Sequence, residues 1–378
     1  MTTTRSINDT TKLDVLYMAL ELSNAKWRLA FGAGGRERQV VVDAGDLSGL
    51  TAAIDRAQAK LGVGSEAKVI SVYEAGRDGF WLHRWLEAQG IDSRVIDAGS
   101  LERRPGKRHR KTDRLDARVL LRKLRQYEAG DRGVFSVVRV PPAEIEDLRR
   151  LERERARLVK ERGAHRSRMK ALLNLHGIKP VKLTGDVPGR LAGMRQWDGS
   201  PLPGHLVAEL AREWARLEQV EAQLAAVEAE QRAQVQEAEV APMALVWELM
   251  RLKSLGLKSA LTLVLELFGW REFANRRELA GCVGLVPTPY DSGLQRRELG
   301  IGKQGNARVR AVLIELAWRW LRWQPDSELS RWYHRRFGSG GKRQRRIGIV
   351  ALARKLLIVL WRYLRDGVLP PDVRLKAV

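Results

Sequence analysis

Four carboxylates and one serine are the residues whose types and spacing could do chemistry in this chain. Glu21 lies near the end of the apolar run DVLYMALEL (Asp14–Leu22), and Glu74 lies just past KVISVY (Lys68–Tyr73). Asp113 and Asp116, in KTDRLDARVLL, are three residues apart, so a helix presents them on one face. Four clustered carboxylates repel one another unless a cation sits between them. Hard oxygen donors at this density select Mg²⁺, with Mn²⁺ as the alternative. Such a site activates one oxygen and stabilises the departing one in phosphodiester cleavage. Each acid alone has a plainer reading. A Glu after a strand is usually a solvated strand end, and Asp-x-x-Asp on a basic helix is usually a surface ion-pair ladder. The combined placement favours the metal site over those readings.

The elements that must position these acids follow from the apolar periodicity. Residues 14–22, 26–32 and 37–43 predict three strands joined by tight polar links at Ser23-Asn24 and Gly34-Gly35. A helix over 46–60, a strand over 68–73, a helix over 79–89, a strand over 93–96 and a basic helix over 112–127 follow. That order specifies an α/β domain, residues 1–135, with a mixed five-stranded sheet of the RNase H-like (RuvC) type.

Behind it the texture turns all-α. Residues 143–176 and 205–238 are charged and helical in period, and Leu210, Leu217 and Leu224 recur every seven residues with Val220 and Val227 offset by three. Four prolines (Pro180, Pro188, Pro201 and Pro203) make 177–204 irregular. Two long antiparallel helices with a loop at the tip make a coiled-coil connector, residues 136–242. Arg155, Arg162 and His165 fall near the seam of its first helix and are expected to face nucleic acid or a partner. A mostly helical C-terminal domain, residues 243–378, follows. It holds a turn at 254–259 that suits either a helix-hairpin-helix or a plain helix turn. A Gly-rich loop region at 284–306, a helix with Trp318, Trp320 and Trp323, a basic linker at 342–346 and a last helix complete it.

Charge narrows the partner. Lys and Arg number 68 against 45 Asp and Glu, a formal charge of +23. A polyanion relieves that self-repulsion, and nucleic acid is the first candidate, ahead of a merely soluble basic protein. Eleven Lys and Arg lie between Arg103 and Arg125, around the two aspartates. Arg103, Arg104, Lys107, Arg108, Arg110, Lys111 and Arg114 are the expected phosphate contacts there. The single cysteine, Cys282, excludes an internal disulfide and a cysteine zinc site. The polar N-terminus is not a signal peptide, and the apolar stretch 347–361 is broken by Arg354 and Lys355. A cytoplasmic bacterial protein without a membrane partner is expected.

Several motifs resemble the insertion-sequence one-ten family of transposases, also called bridge-RNA-guided recombinases. Leu20-Glu21-Leu22-Ser23 followed by Lys26 resembles the family's first strand, and Glu74-Ala75 its Glu-Ala after the fourth. Lys111 to Ala117 matches Lys-Thr-Asp-x-x-Asp-Ala residue for residue. Gly284-Leu285-Val286-Pro287, Ser292-Gly293 and Lys303-Gln304-Gly305-Asn306 resemble the C-terminal motifs. The resemblance covers nearly the whole chain. It implies that Ser292 is a nucleophile and that a structured RNA pairs with donor and target DNA, so that base pairing supplies specificity. Arg296, Arg297, Lys303, Arg308 and Arg310 lie near Ser292 in sequence and could bind the attacked phosphate. Read without the resemblance, a serine in a Gly-rich turn is a turn residue. The chain departs from the family at Glu21, where relatives carry Asp. The extra methylene moves the carboxylate by about one ångström and bears on how a metal is held.

The expectation is a transposase that cuts and rejoins DNA under RNA guidance, acting as a dimer or tetramer. The rival is a metal-dependent, structure-specific nuclease in which Ser292 is structural, and a non-catalytic nucleic-acid scaffold stands third.

Overall fold

A computed structural model describes residues 13–101, 113–179, 182–236, 241–292 and 295–376. The chain forms two compact units, residues 1–140 and 141–378.

The first unit runs β1 (Leu13–Glu21), β2 (Lys26–Ala33), β3 (Arg36–Asp43), α1 (Leu47–Leu61), β4 (Val63–Glu74), α2 (Trp81–Ala88), β5 (Asp92–Ile96) and α3 (Asp113–Glu128). The five strands form one sheet in the order β3-β2-β1-β4-β5. The β1–β2 and β2–β3 pairs are antiparallel, whereas β1–β4 and β4–β5 are parallel. This is the expected mixed sheet, and it is consistent with an RNase H-like arrangement. β1 is apolar on both faces because it lies at the centre. Leu16, Met18 and Leu20 join Leu29 and Phe31 under α1 and α2, while Ala19 faces α3. α3 lies close to the sheet because the residues beneath it are small. Ala19 and Ala30 are register partners, and a Cβ on Gly32 would come 3.2 Å from Leu121 Cδ2. β4 is longer than its apolar run suggests and ends on Glu74 itself.

The second unit opens with α4 (Ala143–Leu175), α5 (Val187–Gly193) and α6 (Gly204–Gln236). α4 and α6 form an antiparallel hairpin. Its cross-pairs run in opposite senses, Arg155 to Glu228 at 2.9 Å and His165 to Glu213 at 2.8 Å. Arg155 and His165 therefore answer acids on α6 and do not face outward as expected. One helix read alone hides the partner on the other. The seam is buried within the chain: Leu210 and Leu217 pack with Met169, Leu173, Leu183 and Leu191, and Leu224 packs with Leu158. It needs no second chain for burial. The segment between the helices is not wholly irregular. α5 forms there because the Asp186 carboxylate accepts from Gly189 N at 2.8 Å and Pro188 fits the first turn.

The remainder is α7 (Ala241–Met250), α8 (Leu257–Leu263) running into a π-helical turn (Val264–Phe268), α9 (Arg276–Val283), β6 (Pro287–Ser292), β7 (Gln295–Ile301), α10 (Ala307–Trp323), α11 (Glu328–Phe337) and α12 (Lys342–Asp366). Two expectations are corrected here. The Gly-rich region at 284–306 contains an antiparallel β-hairpin. Residues 342–346 are the first turn of α12, not a linker, since a cationic first turn exposed to solvent can still be helical. The core gathers α7 to α12 around Trp320, Leu313, Leu352 and Leu356. No helix among the described residues is long and apolar enough to cross a membrane.

Leu217 is wholly buried in the hairpin. Leu217→Ala is expected to cost about 2–5 kcal/mol in urea unfolding followed by circular dichroism. Light scattering on the same variant should show an unchanged mass, because the seam is filled from within. A loss under about 1 kcal/mol, or a change of mass, would contradict the buried seam.

Candidate active site

β1 and β4 are parallel neighbours, and the register pairs Leu20 with Tyr73. The next residues, Glu21 and Glu74, therefore stand at adjacent strand ends, both half-buried. The backbone past Glu74 is held: Ala75 N donates to Ile96 O at 2.8 Å, extending the ladder. Tyr73 braces the following turn. Its hydroxyl donates to Gly79 O at 3.3 Å and accepts from His83 N at 3.2 Å. Burial pushes the Tyr73 hydroxyl up to about 12, so it stays neutral and keeps donating.

α3 runs antiparallel to β1. Its middle and later turns lie over the strand's centre and first half: Leu121 approaches Gly32, the register partner of Tyr17, the Arg125 guanidinium sits 5.9 Å from the Tyr17 ring centre, and Arg125 Nη2 donates to Gly34 O past the end of β2. Its first turn accordingly lies toward the strand ends that carry Glu21 and Glu74. Asp113 and Asp116 belong to that turn, but only the backbone is described for them and for Arg114. Arg103, Arg104, Lys107, Arg108, Arg110 and Lys111 lie outside the described residues. Among the described residues no group of three or more acidic, His or Cys side chains could hold a metal ion. The two half-buried carboxylates at adjacent strand ends are hard oxygen donors and suit a divalent cation.

Ser292 ends β6, in register with Gln295, while Asp291 pairs with Arg296 and Tyr290 with Arg297. It therefore stands at the tip of the hairpin. Only the backbone is described for Ser292, Arg296 and Arg297. The base of the hairpin is tied down by a close backbone crossing. Gly302 N donates to Val286 O at 2.9 Å, and Asn306 N to Cys282 O at 2.8 Å. Two left-handed glycines permit it. A Cβ on Gly284 (φ 70°) would lie 1.8 Å from Gln304 O, and one on Gly305 (φ 82°) 2.2 Å from Cys282 O. Lys303, exposed, takes a left-handed φ of 58° between them. Arg310 is engaged inside the fold, donating to Val283 O at 2.8 Å and Gln304 O at 3.2 Å. Arg308 is exposed in the first turn of α10.

Asn306 fixes this loop from below. Its side-chain oxygen accepts from Arg308 N and Val309 N at 3.0 and 3.2 Å, capping α10, and its amide donates to Glu266 Oε2 at 3.1 Å. Glu266, buried in the π-helical turn, also takes Arg149 Nη2 at 2.6 Å and Arg153 Nε at 3.4 Å from α4. Burial raises its pKa, but Arg149, Arg153 and Asn306 together hold it below the usual carboxylate range. One buried charge thus joins the helical hairpin to the loop at the base of the serine hairpin. The sequence reading missed Glu266. Its available signal was a lone acid inside the apolar run LVLELF.

A parallel pair of strands ending in carboxylates, with a helix returning across them, suits an enzyme that works on phosphodiesters with divalent metal. The comparisons with known proteins agree. A DEDD family model described as "Transposase" matches residues 37–178, and one described as "Transposase IS116/IS110/IS902 family" matches residues 247–332. The first takes in Glu74, Asp113 and Asp116 but begins after Glu21; the second takes in Ser292. A Sinorhizobium fredii protein named "Putative transposase" is 40% identical over 94% of this chain and 93% of its own length. The transposase for an insertion sequence element of Coxiella burnetii is 26% identical over 75% of this chain and 74% of its own length. The chain belongs to the IS116/IS110/IS902 family of transposases. It is a DNA transposase, an enzyme that cuts and rejoins DNA, and its DEDD domain implies use of a divalent metal.

Gly284→Ala is expected to destabilise the protein by about 2 kcal/mol or more, because the new methyl meets a backbone carbonyl at a left-handed residue. Gly281→Ala, with nothing within 4 Å of the added Cβ, should leave stability equal or slightly higher. Thermal melts compare the two, and equal losses would refute the crossing.

Glu266→Gln should cost about 3–5 kcal/mol at neutral pH, since it leaves Arg149 buried without its counter-charge. The folded pKa is lowered, so this contribution is complete above the unfolded value of about 4.3. It is lost as pH falls through the lowered value. The stability gap between parent and variant in urea should therefore narrow below about pH 4. A gap independent of pH would show that Glu266 is not ionised in the fold.

Proposed function

We propose that Glu21, Glu74, Asp113 and Asp116 hold divalent metal, Mg²⁺ or alternatively Mn²⁺, for transposition, and that Ser292 is the nucleophile. The observation that carries the metal reading is the pair of half-buried carboxylates at adjacent strand ends, toward which the first turn of α3, opening on Asp113, lies. The bound metal would supply a Lewis acid for the attacked phosphodiester. Ser292 Oγ forms a bond to phosphorus as the bond from phosphorus to a deoxyribose oxygen breaks, and the serine proton passes through solvent to that departing oxygen, which leaves as a hydroxyl. The resulting phosphoserine ester keeps the bond energy, and attack by a deoxyribose hydroxyl releases the serine and rejoins the strand. Its support is the placement of Ser292 at a hairpin tip whose base is fixed by Gly284, Gly305 and Asn306. Lys303 and Arg308, both exposed beside that base, are candidate phosphate contacts, as are Arg296 and Arg297 in β7 and the cations from Arg103 to Arg114.

The same reading extends to guidance and assembly. A structured bridge RNA pairs with donor and target DNA, and the excess of cations serves both nucleic acids. Two duplexes need at least two active sites, so a dimer or tetramer acts. The α4–α6 hairpin serves as a coiled-coil connector between a metal domain, residues 1–135, and a serine domain, residues 243–378.

The test uses labelled donor DNA, the full chain with its co-purifying RNA, and Mg²⁺, followed by denaturing electrophoresis. The parent should carry label covalently and Ser292→Ala none. Asp113→Asn and Asp116→Asn should carry little or none and fall to background in transposition, while nucleic-acid affinity stays within about twofold. Label on Ser292→Ala would eliminate the nucleophile. Cleavage without any covalent label would support a metal-dependent nuclease instead.

A further inference from the structure

A groove of about 840 Å³ lies along the outer face of α12, beside the base of the β6–β7 hairpin. Of its lining residues, only Lys303 is among the candidate phosphate contacts beside the hairpin base. Its walls are apolar, formed by Leu285, Ile301, Ile347, Val350 and Ile358, with the Trp332 ring on one side. Ile347 is 54% exposed, an apolar side chain left open at the rim. The charged residues among the described lining are all cations: Arg276, Arg277, Lys303, Arg354 and Lys355. None of the five pairs with a carboxylate among the described residues. The Lys355 ammonium lies 4.6 Å from the centre of the Trp332 ring. A second depression, of about 410 Å³, shares Arg276, Lys355 and Ile358 and continues the groove along α12.

Apolar walls with an aromatic ring suit a flat base taken out of its stack, and unpaired cations around them suit the phosphates on either side. The volume falls within the range of about 300–1,000 Å³ typical of small-ligand pockets, enough for a nucleotide. The location suits the same ligand, because Pro287, Gly300 and Ile301 at the hairpin base form part of the wall. A folded protein partner would have to meet five cations with matching acids, whereas a DNA strand brings its own regular negative charge. We propose that this groove receives one unpaired nucleotide of the DNA, extruded from the duplex close to the hairpin. The proposal rests on DNA being the substrate and not on the assignment of Ser292.

The test uses the full chain and two fluorescein-labelled duplexes, one fully paired and one with a single unpaired 5-iodouracil deoxynucleotide. Anisotropy should show the parent binding the bulged duplex about tenfold more tightly than the paired one. Ile347→Asp and Lys355→Ala should remove most of that preference and leave paired-duplex affinity within about twofold. Irradiation should crosslink the iodouracil to the peptide holding Trp332 or to α12. Circular dichroism on Ile347→Asp confirms that the fold is intact. Equal preference in Ile347→Asp, no preference in the parent, or crosslinks confined to other peptides would each overturn the proposal. So would an unpaired ribonucleotide bound more tightly than the deoxynucleotide, or a change of oligomeric mass in Ile347→Asp with DNA binding untouched.

Discussion

The close seat of α3 on the sheet is the constraint on which the first unit depends. A helix can lie this near a sheet only where the side chains beneath it are small, and Ala19, Ala30 and Gly32 provide that patch. Ala117, Leu120, Leu121 and Leu124 fill the space from above. This packing fixes the direction of the helix, and the direction brings its acidic first turn toward the strand ends. The like charges at Glu21 and Glu74 follow from the parallel pairing of β1 with β4. Parallel pairing brings both C-terminal ends to one edge of the sheet, where ligands of mixed and parallel sheets commonly bind. Core packing that contains no charge thus sets where these acidic residues lie.

The second unit relies on a buried ion pair, Glu266 with Arg149. Glu266 has little access to water and is held ionised by two arginines of α4 and the amide of Asn306. A π-helical turn admits one more residue than an α-turn and changes which side chain faces the interior. Here the acid within it reaches both the long hairpin and the loop that closes the serine hairpin. Glu152 extends the polar seam, accepting from Thr262 Oγ1 at 2.9 Å and Gln231 Nε2 at 3.0 Å. Polar groups placed this way give the junction one preferred arrangement, because any slip leaves a buried donor or acceptor unmatched.

What could be read from sequence divides along physical lines. The succession of strands and helices was legible because each strand is a short apolar run bounded by turn residues, and runs of that length fall short of an ordinary helix. The long helices were legible from their charged composition and helical period, with leucines recurring every seven residues in α6. The β6–β7 hairpin was not, because Pro287, Pro289 and the surrounding glycines signal irregular chain while the pairing depends on residues across the turn. The first turn of α12 reads as a linker in sequence, since KRQRR has no apolar face of its own. Arg155 and His165 looked misplaced at a seam because their acids, Glu228 and Glu213, lie far away in sequence. Of the candidate site, the spacing and strand-end positions of the acids are what single them out in the sequence, and Lys-Thr-Asp-x-x-Asp-Ala pointed to the family. Glu266 escaped because its three donors come from two distant elements.

The proposed divalent-metal site joins the strand-end carboxylates to those at the start of α3. Calorimetric titration of the full chain with Mn²⁺, in the absence of nucleic acid, tests it most directly. The parent should show saturable uptake that Glu74→Gln and Asp116→Asn each abolish and that Ser292→Ala retains in full. Uptake in both carboxylate variants equal to that of the parent would contradict it.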